Sequence, residues 1–151
     1  GMPLIGWTRR ATADRAQHGL RLVPLEEVFA SADVVTIHLS LNAQTERLIS
    51  RPLLASLKPT AYFINTSRAK IVDNAALAEL PQQGGIAGAA LDVHEEEPAP
   101  MNYQFAALPN VLVTPHIGYN SKEAGENMLR IAYATLEAFL KGEKLHVVNP
   151  V

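Results

Sequence analysis

The sequence predicts an α/β fold built on a doubly wound parallel sheet with helices on both faces. Short apolar runs rich in β-branched residues alternate with stretches of helical spacing, the pattern left by βαβ units. Several of those runs are apolar throughout, as strands covered on both faces are. The 151 residues, 48% hydrophobic and 19% charged, suffice for one substantial core and give one domain as the expectation.

Taken in order, the predicted strands are Leu4 to Trp7, Val34 to His38, Ala61 to Asn65, Ile86 to Leu91 and Val111 to Thr114. A weaker run, Arg21 to Val23, reads as a short edge strand, because Pro24 comes next and cannot donate to a ladder. Between them, Thr12 to His18 and Leu25 to Ala32 carry helical spacing, and Gly19 stands where a helix C-cap needs a residue free to take positive φ. Asp73 is placed to cap a helix over Asn74 to Leu80, which Pro81 and Gly84-Gly85 then end. Ser121 is placed to cap a last helix. Its Met128, Ile131, Ala132, Leu136, Phe139 and Leu140 share one face until Gly142, so this helix is expected to be amphipathic and docked. No repeat, low-complexity segment or linker divides the chain.

Composition narrows the function. A net charge of -2 with scattered signs supplies no basic face for a phosphate backbone, which argues against nucleic acid as a partner. Without cysteine there is no disulfide framework and no thiolate chemistry, which is compatible with a cytoplasmic protein. No stretch approaches the roughly 20 apolar residues of a membrane span, so no membrane partner is expected. The start, Gly1 to Trp7, lacks the basic and apolar regions of a signal peptide and reads as the beginning of a strand.

In open α/β sheets ligands bind at the carboxyl ends of the strands. Ala61 to Asn65 runs into Thr66-Ser67-Arg68, Ala87 to Leu91 into Asp92, and Val111 to Thr114 into Pro115-His116, which brings a guanidinium, a carboxylate and an imidazole to one edge. Glu97, in the acidic loop His94 to Pro98, is close enough to fold back toward the same crevice. Such a group suits reduction of a carbonyl beside a carboxylate. A bidentate Arg fixes the carboxylate, a His gives a proton to the forming alkoxide, and a carboxylate orients the ring and favours its protonated form. Hydride must then come from a cofactor. Each residue also has an ordinary reading: Arg68 as a surface charge, His116 as a structural residue, Asp92 as a turn cap, Glu95 to Glu97 as a solvated loop. His94 beside that loop invites a metal reading, but no second His lies at ligand spacing, so no metal is expected.

The strings Ile64-Asn65-Thr66-Ser67-Arg68, Gly88 to Val93, Glu97-Pro98 and Thr114-Pro115-His116-Ile117-Gly118 closely resemble motifs of the D-isomer-specific 2-hydroxyacid dehydrogenases. That family includes phosphoglycerate, D-lactate, formate and glyoxylate/hydroxypyruvate enzymes. The resemblance is ordered and spaced over essentially the whole chain. It implies a Rossmann-like domain using NAD or NADP and a small 2-keto or 2-hydroxy acid substrate. It also implies Arg68 as the binder of substrate carboxylate and carbonyl, His116 as acid/base and Glu97 as its partner. Asp92 and the backbone near Gly118 would hold the nicotinamide carboxamide. Thr66, Ser67 and the turn His38-Leu39-Ser40 would line the cofactor groove, His38 through its backbone, with Thr45 near the adenosine side.

Three departures qualify the transfer. The family usually has Gly after the catalytic Arg, whereas Ala69-Lys70 stands here, and a Cβ there is expected to strain the turn or crowd the substrate. Where NAD-preferring members end the first strand with an acid, this chain has Thr8, then Arg9 and Arg10. A 2′-phosphate would meet guanidinium groups, unless both are merely solvated. The Gly-rich turn GxGxxG and its strand would precede Gly1, and a separate substrate domain is absent, so an incomplete Rossmann-like domain over residues 1–151 is expected. Apolar surface left bare by that strand and helix would drive self-association into a homo-oligomer. The competing reading is a truncated family member that binds nucleotide or protein without turnover, or a remnant without function.

Overall fold

The structure is a computed structural model that describes residues 1–9 and 19–148. The chain divides into two units, Gly1–His116 and Ile117–Val151.

Among the described residues of the first unit every strand pairing is parallel. β1 (Leu4–Gly6) pairs with β2 (Leu20–Leu22) in a two-stranded sheet. A four-stranded sheet runs β3 (Val34–Ile37), β4 (Tyr62–Asn65), β5 (Gly88–Leu91) and β6 (Val111–Val113), in chain order. The α/β architecture and the parallel sheet therefore agree with the sequence reading. The strands are a residue or two shorter at their ends than the apolar runs, and β2 lies one residue earlier than expected. As expected, it is an edge strand, and Val23 N–H still reaches the Gly6 carbonyl at 3.0 Å before Pro24 ends the pairing.

Helices α1 (Leu25–Ser31), α2 (Arg51–Ala55) and α3 (Asn74–Gln82) bury Phe29, Leu54, Ala76 and Leu77 against Val35, Ile37, Phe63, Ala89 and Leu91 of the sheet. Phe29, Phe63, Leu54 and Leu77 are at most 1% exposed, and each such side chain contributes about 1.5–3 kcal/mol through burial. The alternate residues Val34, Tyr62 and Leu112 point the other way and are exposed.

Asp73 caps α3 as the sequence predicts, its carboxylate accepting from Ala76 N–H at 3.1 Å. The helix runs on through Pro81 to Gln82 and stops before Gly84, whose φ is +68°. Pro81 sits in the last turn, where its missing N–H removes one bond without preventing a further residue of helix. Helix α2 has no counterpart in the sequence reading: at five residues, with Pro52 at its start, it is too short to show periodicity. The helix expected over Thr12 to His18 lies outside the described residues, although Gly19 has the positive φ, +77°, expected of it.

The second unit contains α4 (Lys122–Leu140), capped by the Ser121 hydroxyl, which accepts from Ala124 N–H at 3.1 Å. Gly142, φ +71°, stands just past its end. The apolar face expected to be buried is instead exposed at Met128, Ile131, Leu136, Phe139 and Leu140.

Candidate active site

The register of the four-stranded sheet puts Asn65, Leu91 and Val113 side by side as the last residues of β4, β5 and β6. The segments leaving these three strands therefore emerge at one edge, with neighbouring strands about 4.8 Å apart.

After β4 the turn is folded by Asn65, which is 1% exposed. Its carbonyl oxygen accepts from Ser67 N–H at 3.0 Å and its amide donates to the Arg68 carbonyl at 3.1 Å. The Ser67 hydroxyl donates to the Ile37 carbonyl at 2.7 Å, tying this turn to the end of β3. Thr66 and Arg68 stay exposed on the edge, Arg68 with extended backbone and one guanidinium N–H on the Ser67 carbonyl at 2.6 Å. Sequence reasoning missed Asn65 as the residue that shapes this turn. The signal is present in the sequence, because Asn at a strand end commonly bonds the backbone ahead of it.

The strain expected at Ala69 is absent. Ala69 opens a 3₁₀ turn over Ala69–Ile71, lies outside the positive-φ residues, and buries its side chain to 4% exposure. Its Cβ faces the core, so the site keeps its turn without glycine.

After β5, Asp92 is buried and accepts from the Thr114 hydroxyl at 2.6 Å, which links the ends of β5 and β6. The acidic loop does fold back. One Glu97 carboxylate oxygen accepts from His94 N–H at 3.0 Å, and the other accepts from His116 Nδ1 at 2.8 Å. These two bonds, that from His116 foremost, hold the Glu97 carboxyl below the ordinary carboxylate range, with partial burial opposing them. His116 has φ +56°, a left-handed conformation that costs a non-glycine residue about 1 kcal/mol. The turn around Pro115 holds it there, with His116 N–H on the Thr114 carbonyl at 3.0 Å. Because Glu97 can only accept, Nδ1 of His116 carries hydrogen, and Nε2 is the ring atom that can exchange a proton with a reacting group.

The structure also locates the remaining residues singled out in the sequence. His38, Leu39 and Ser40 continue from β3 along the same edge, and the exposed His38 ring pairs with Thr36 Oγ1 at 3.0 Å. Thr45 is buried. Its hydroxyl donates to the Ser40 carbonyl at 2.7 Å and accepts from Asn42 N–H at 2.9 Å, so it shapes the loop wall rather than offering a donor. Thr8 and Arg9 come after β1, and the Arg9 guanidinium donates to the Gln44 side chain. Arg10 lies outside the described residues. Gly118 belongs to the second unit. His94 has both ring nitrogens on protein partners, Tyr103 Oη and the Thr114 carbonyl, each at 2.9 Å.

These features coincide with a known family. The sequence model described as D-isomer specific 2-hydroxyacid dehydrogenase, NAD binding domain, matches residues 1–118. The chain belongs to that family. It is 40% identical over 151 residues to a glyoxylate/hydroxypyruvate reductase B of Pectobacterium carotovorum, covering 99% of this chain and 47% of that protein. It is 39% identical over 135 residues to a glyoxylate reductase of Thermofilum pendens, covering 89% of this chain and 40% of that protein. Among solved structures, a D-lactate dehydrogenase with NAD+ from Lactobacillus jensenii superposes with a TM-score of 0.87 at 30% identity, over 97% of this chain and 48% of that one. The chain thus spans less than half the length of these relatives.

Proposed function

We propose that this chain is the cofactor-binding and acid/base portion of an oxidoreductase that moves hydride between NAD(P)H and a small 2-keto or 2-hydroxy acid. The observation that carries the reading is the Glu97 to His116 bond, set at the strand edge that also bears Arg68 and Asp92. The residues present fit a nicotinamide: the buried Asp92 carboxylate at the end of β5 can accept from a carboxamide N–H, beside the Thr66 and Ser67 turn. When bound, the reduced cofactor supplies the hydride.

In the reducing direction, Arg68 pairs with the substrate carboxylate and keeps its carbonyl toward His116. Protonated His116 gives its Nε2 proton to the carbonyl oxygen as the carbon becomes a hydroxyl-bearing centre. Ionised Glu97 stabilises the imidazolium before that transfer and fixes the ring throughout. Oxidation reverses each step, with neutral Nε2 taking the hydroxyl proton. Glyoxylate and hydroxypyruvate, named for the relatives, are the first substrates to try.

For the choice between cofactors, the segment after β1 offers Thr8 and Arg9 and no acid to hold the ribose hydroxyls, which supports acceptance of a 2′-phosphate. We further propose a homo-oligomer, since Val34, Tyr62 and Leu112 leave an apolar sheet face uncovered.

The test is His116→Ala in the complete protein. Turnover should fall by about 100-fold or more while NAD(P)H affinity stays within about twofold. Equal loss of both would overturn the assignment.

A further inference from the structure

The Glu97 and His116 pair is held at both ends by one residue, His94, that the proposed chemistry does not use. His94 N–H donates to Glu97 Oε1 at 3.0 Å, and Glu97 Oε2 takes His116 Nδ1 at 2.8 Å. The His94 ring donates from Nε2 to the Thr114 carbonyl at 2.9 Å, the same oxygen that receives His116 N–H at 3.0 Å. Four hydrogen bonds therefore close a ring through His94, Glu97, His116 and Thr114, and His94 enters it twice.

We infer that His94, oriented by Tyr103, is a positioning residue that sets the Glu97 and His116 pair in register for proton transfer. This deepens the function proposed above and rests on it.

The chemistry leaves one arrangement of the neutral ring. A carbonyl oxygen can only accept, so Nε2 must carry the hydrogen, and Nδ1 must then accept from the Tyr103 hydroxyl at 2.9 Å. Burial pushes the Tyr103 phenol up to about 12, with Glu95 and Glu97 adding to the shift, so it remains a donor at any working pH. The two rings meet edge-on, centroids 4.9 Å apart at 82°, and Tyr103 in turn packs on the fully buried Phe105. His94 is itself 7% exposed. The core is thus coupled through Tyr103 and His94 to the turn that keeps His116 at φ +56°. Without the ring, the Thr114 carbonyl loses its His94 donor, and the turn that aims His116 keeps only the His116 amide on that oxygen.

The variants that test this are His94→Phe, which keeps an aromatic ring and the backbone N–H on Glu97 but removes both ring hydrogen bonds, His94→Gln, whose amide nitrogen can replace Nε2 at Thr114, and Tyr103→Phe. The first readout is nitrogen-15 histidine NMR of the protein, following the His116 Nδ1 proton and its exchange with water. His94→Phe should shift that resonance and speed its exchange with water, with an unchanged circular dichroism spectrum. His94→Gln should restore it, and Tyr103→Phe should fall between. The second readout is kinetic. His94→Phe should lower kcat about 10- to 100-fold, the scale of a misplaced catalytic group, with KM within about twofold, and His94→Gln should recover most of it. If His94→Phe does not fold, the comparison of His94→Gln and Tyr103→Phe with the wild type carries the test. A His116 resonance and kcat unchanged in the folded variants would overturn the inference. The NMR arm needs no turnover, so a failure of the proposed reaction, seen as indifference to His116→Ala, is distinguished from a failure of the positioning role.

Discussion

Glu97 carries two hydrogen bonds to its carboxylate, and they set the pH at which the pair can be dismantled. Its pKa in the fold lies below the unfolded value of about 4.3, so its contribution to stability is full above that value and is lost as the pH falls through the depressed one. The difference in melting temperature between the wild type and Glu97→Gln should therefore be present at about pH 5 and shrink below about pH 4. With a 38% exposed side chain the difference will be small, and a difference independent of pH would show that the carboxylate is not stabilised by its partners. Ala69 yields a second prediction at this scale. Because its backbone is ordinary and its methyl is buried, Ala69→Gly should cost about 1 kcal/mol in denaturant unfolding and leave kcat unchanged. Arg9 yields a third: Arg9→Ala should weaken NADPH binding more than NADH binding in parallel fluorescence titrations, and equal effects would mean that its guanidinium does not meet the ribose.

At the scale of elements, β5 depends on Gly88 for its fit between β4 and β6. A Cβ there would lie 2.7 Å from the Asn110 carbonyl oxygen and 3.3 Å from the Tyr62 ring. That carbonyl cannot retreat freely, because it accepts from Ala89 N–H at 3.0 Å, and the Asn110 side chain holds the Ala87 carbonyl at 3.2 Å. Gly88→Ala should destabilise by about 1–3 kcal/mol in denaturant unfolding, the range for overpacking, and should disturb the site through Asp92 just past the end of the same strand. Caps matter on a smaller scale. Asp73→Ala removes the Ala76 N–H acceptor of α3 and the partner of Arg47, and about 1 kcal/mol of stability with it.

For the first unit as a whole, the sheet is finished on one face and open on the other. The buried face carries Val35, Ile37, Phe63 and Leu91, while the other lines an apolar hollow of about 530 Å³ with Val34, Tyr62, Ile64, Ala90 and Leu112. That hollow is on the middle of the sheet and not at the edge bearing His116, so it would serve the proposed oligomer rather than the proposed reaction. Self-association should appear in light scattering as a mass that rises with concentration, and Tyr62→Lys should suppress it. A concentration-independent monomer mass would count against the proposed oligomer.

The strands and most of their connections are legible in the sequence because hydrophobic period and turn residues are local signals, and because short apolar runs ending at Asn65, Asp92 and Pro115 mark where a parallel sheet stops. Arg68, Glu97 and His116 are legible as candidates by their places after those strands. Sequence could not show that Glu97 folds back by accepting from His94, that His94 also bonds Thr114, or that Ala69 fits where glycine was expected. Those outcomes depend on which carbonyls and side chains meet across β5 and β6, and hydrogen-bond geometry between residues 20 apart in sequence is decided only when the sheet register brings them together, here to 2.9 Å.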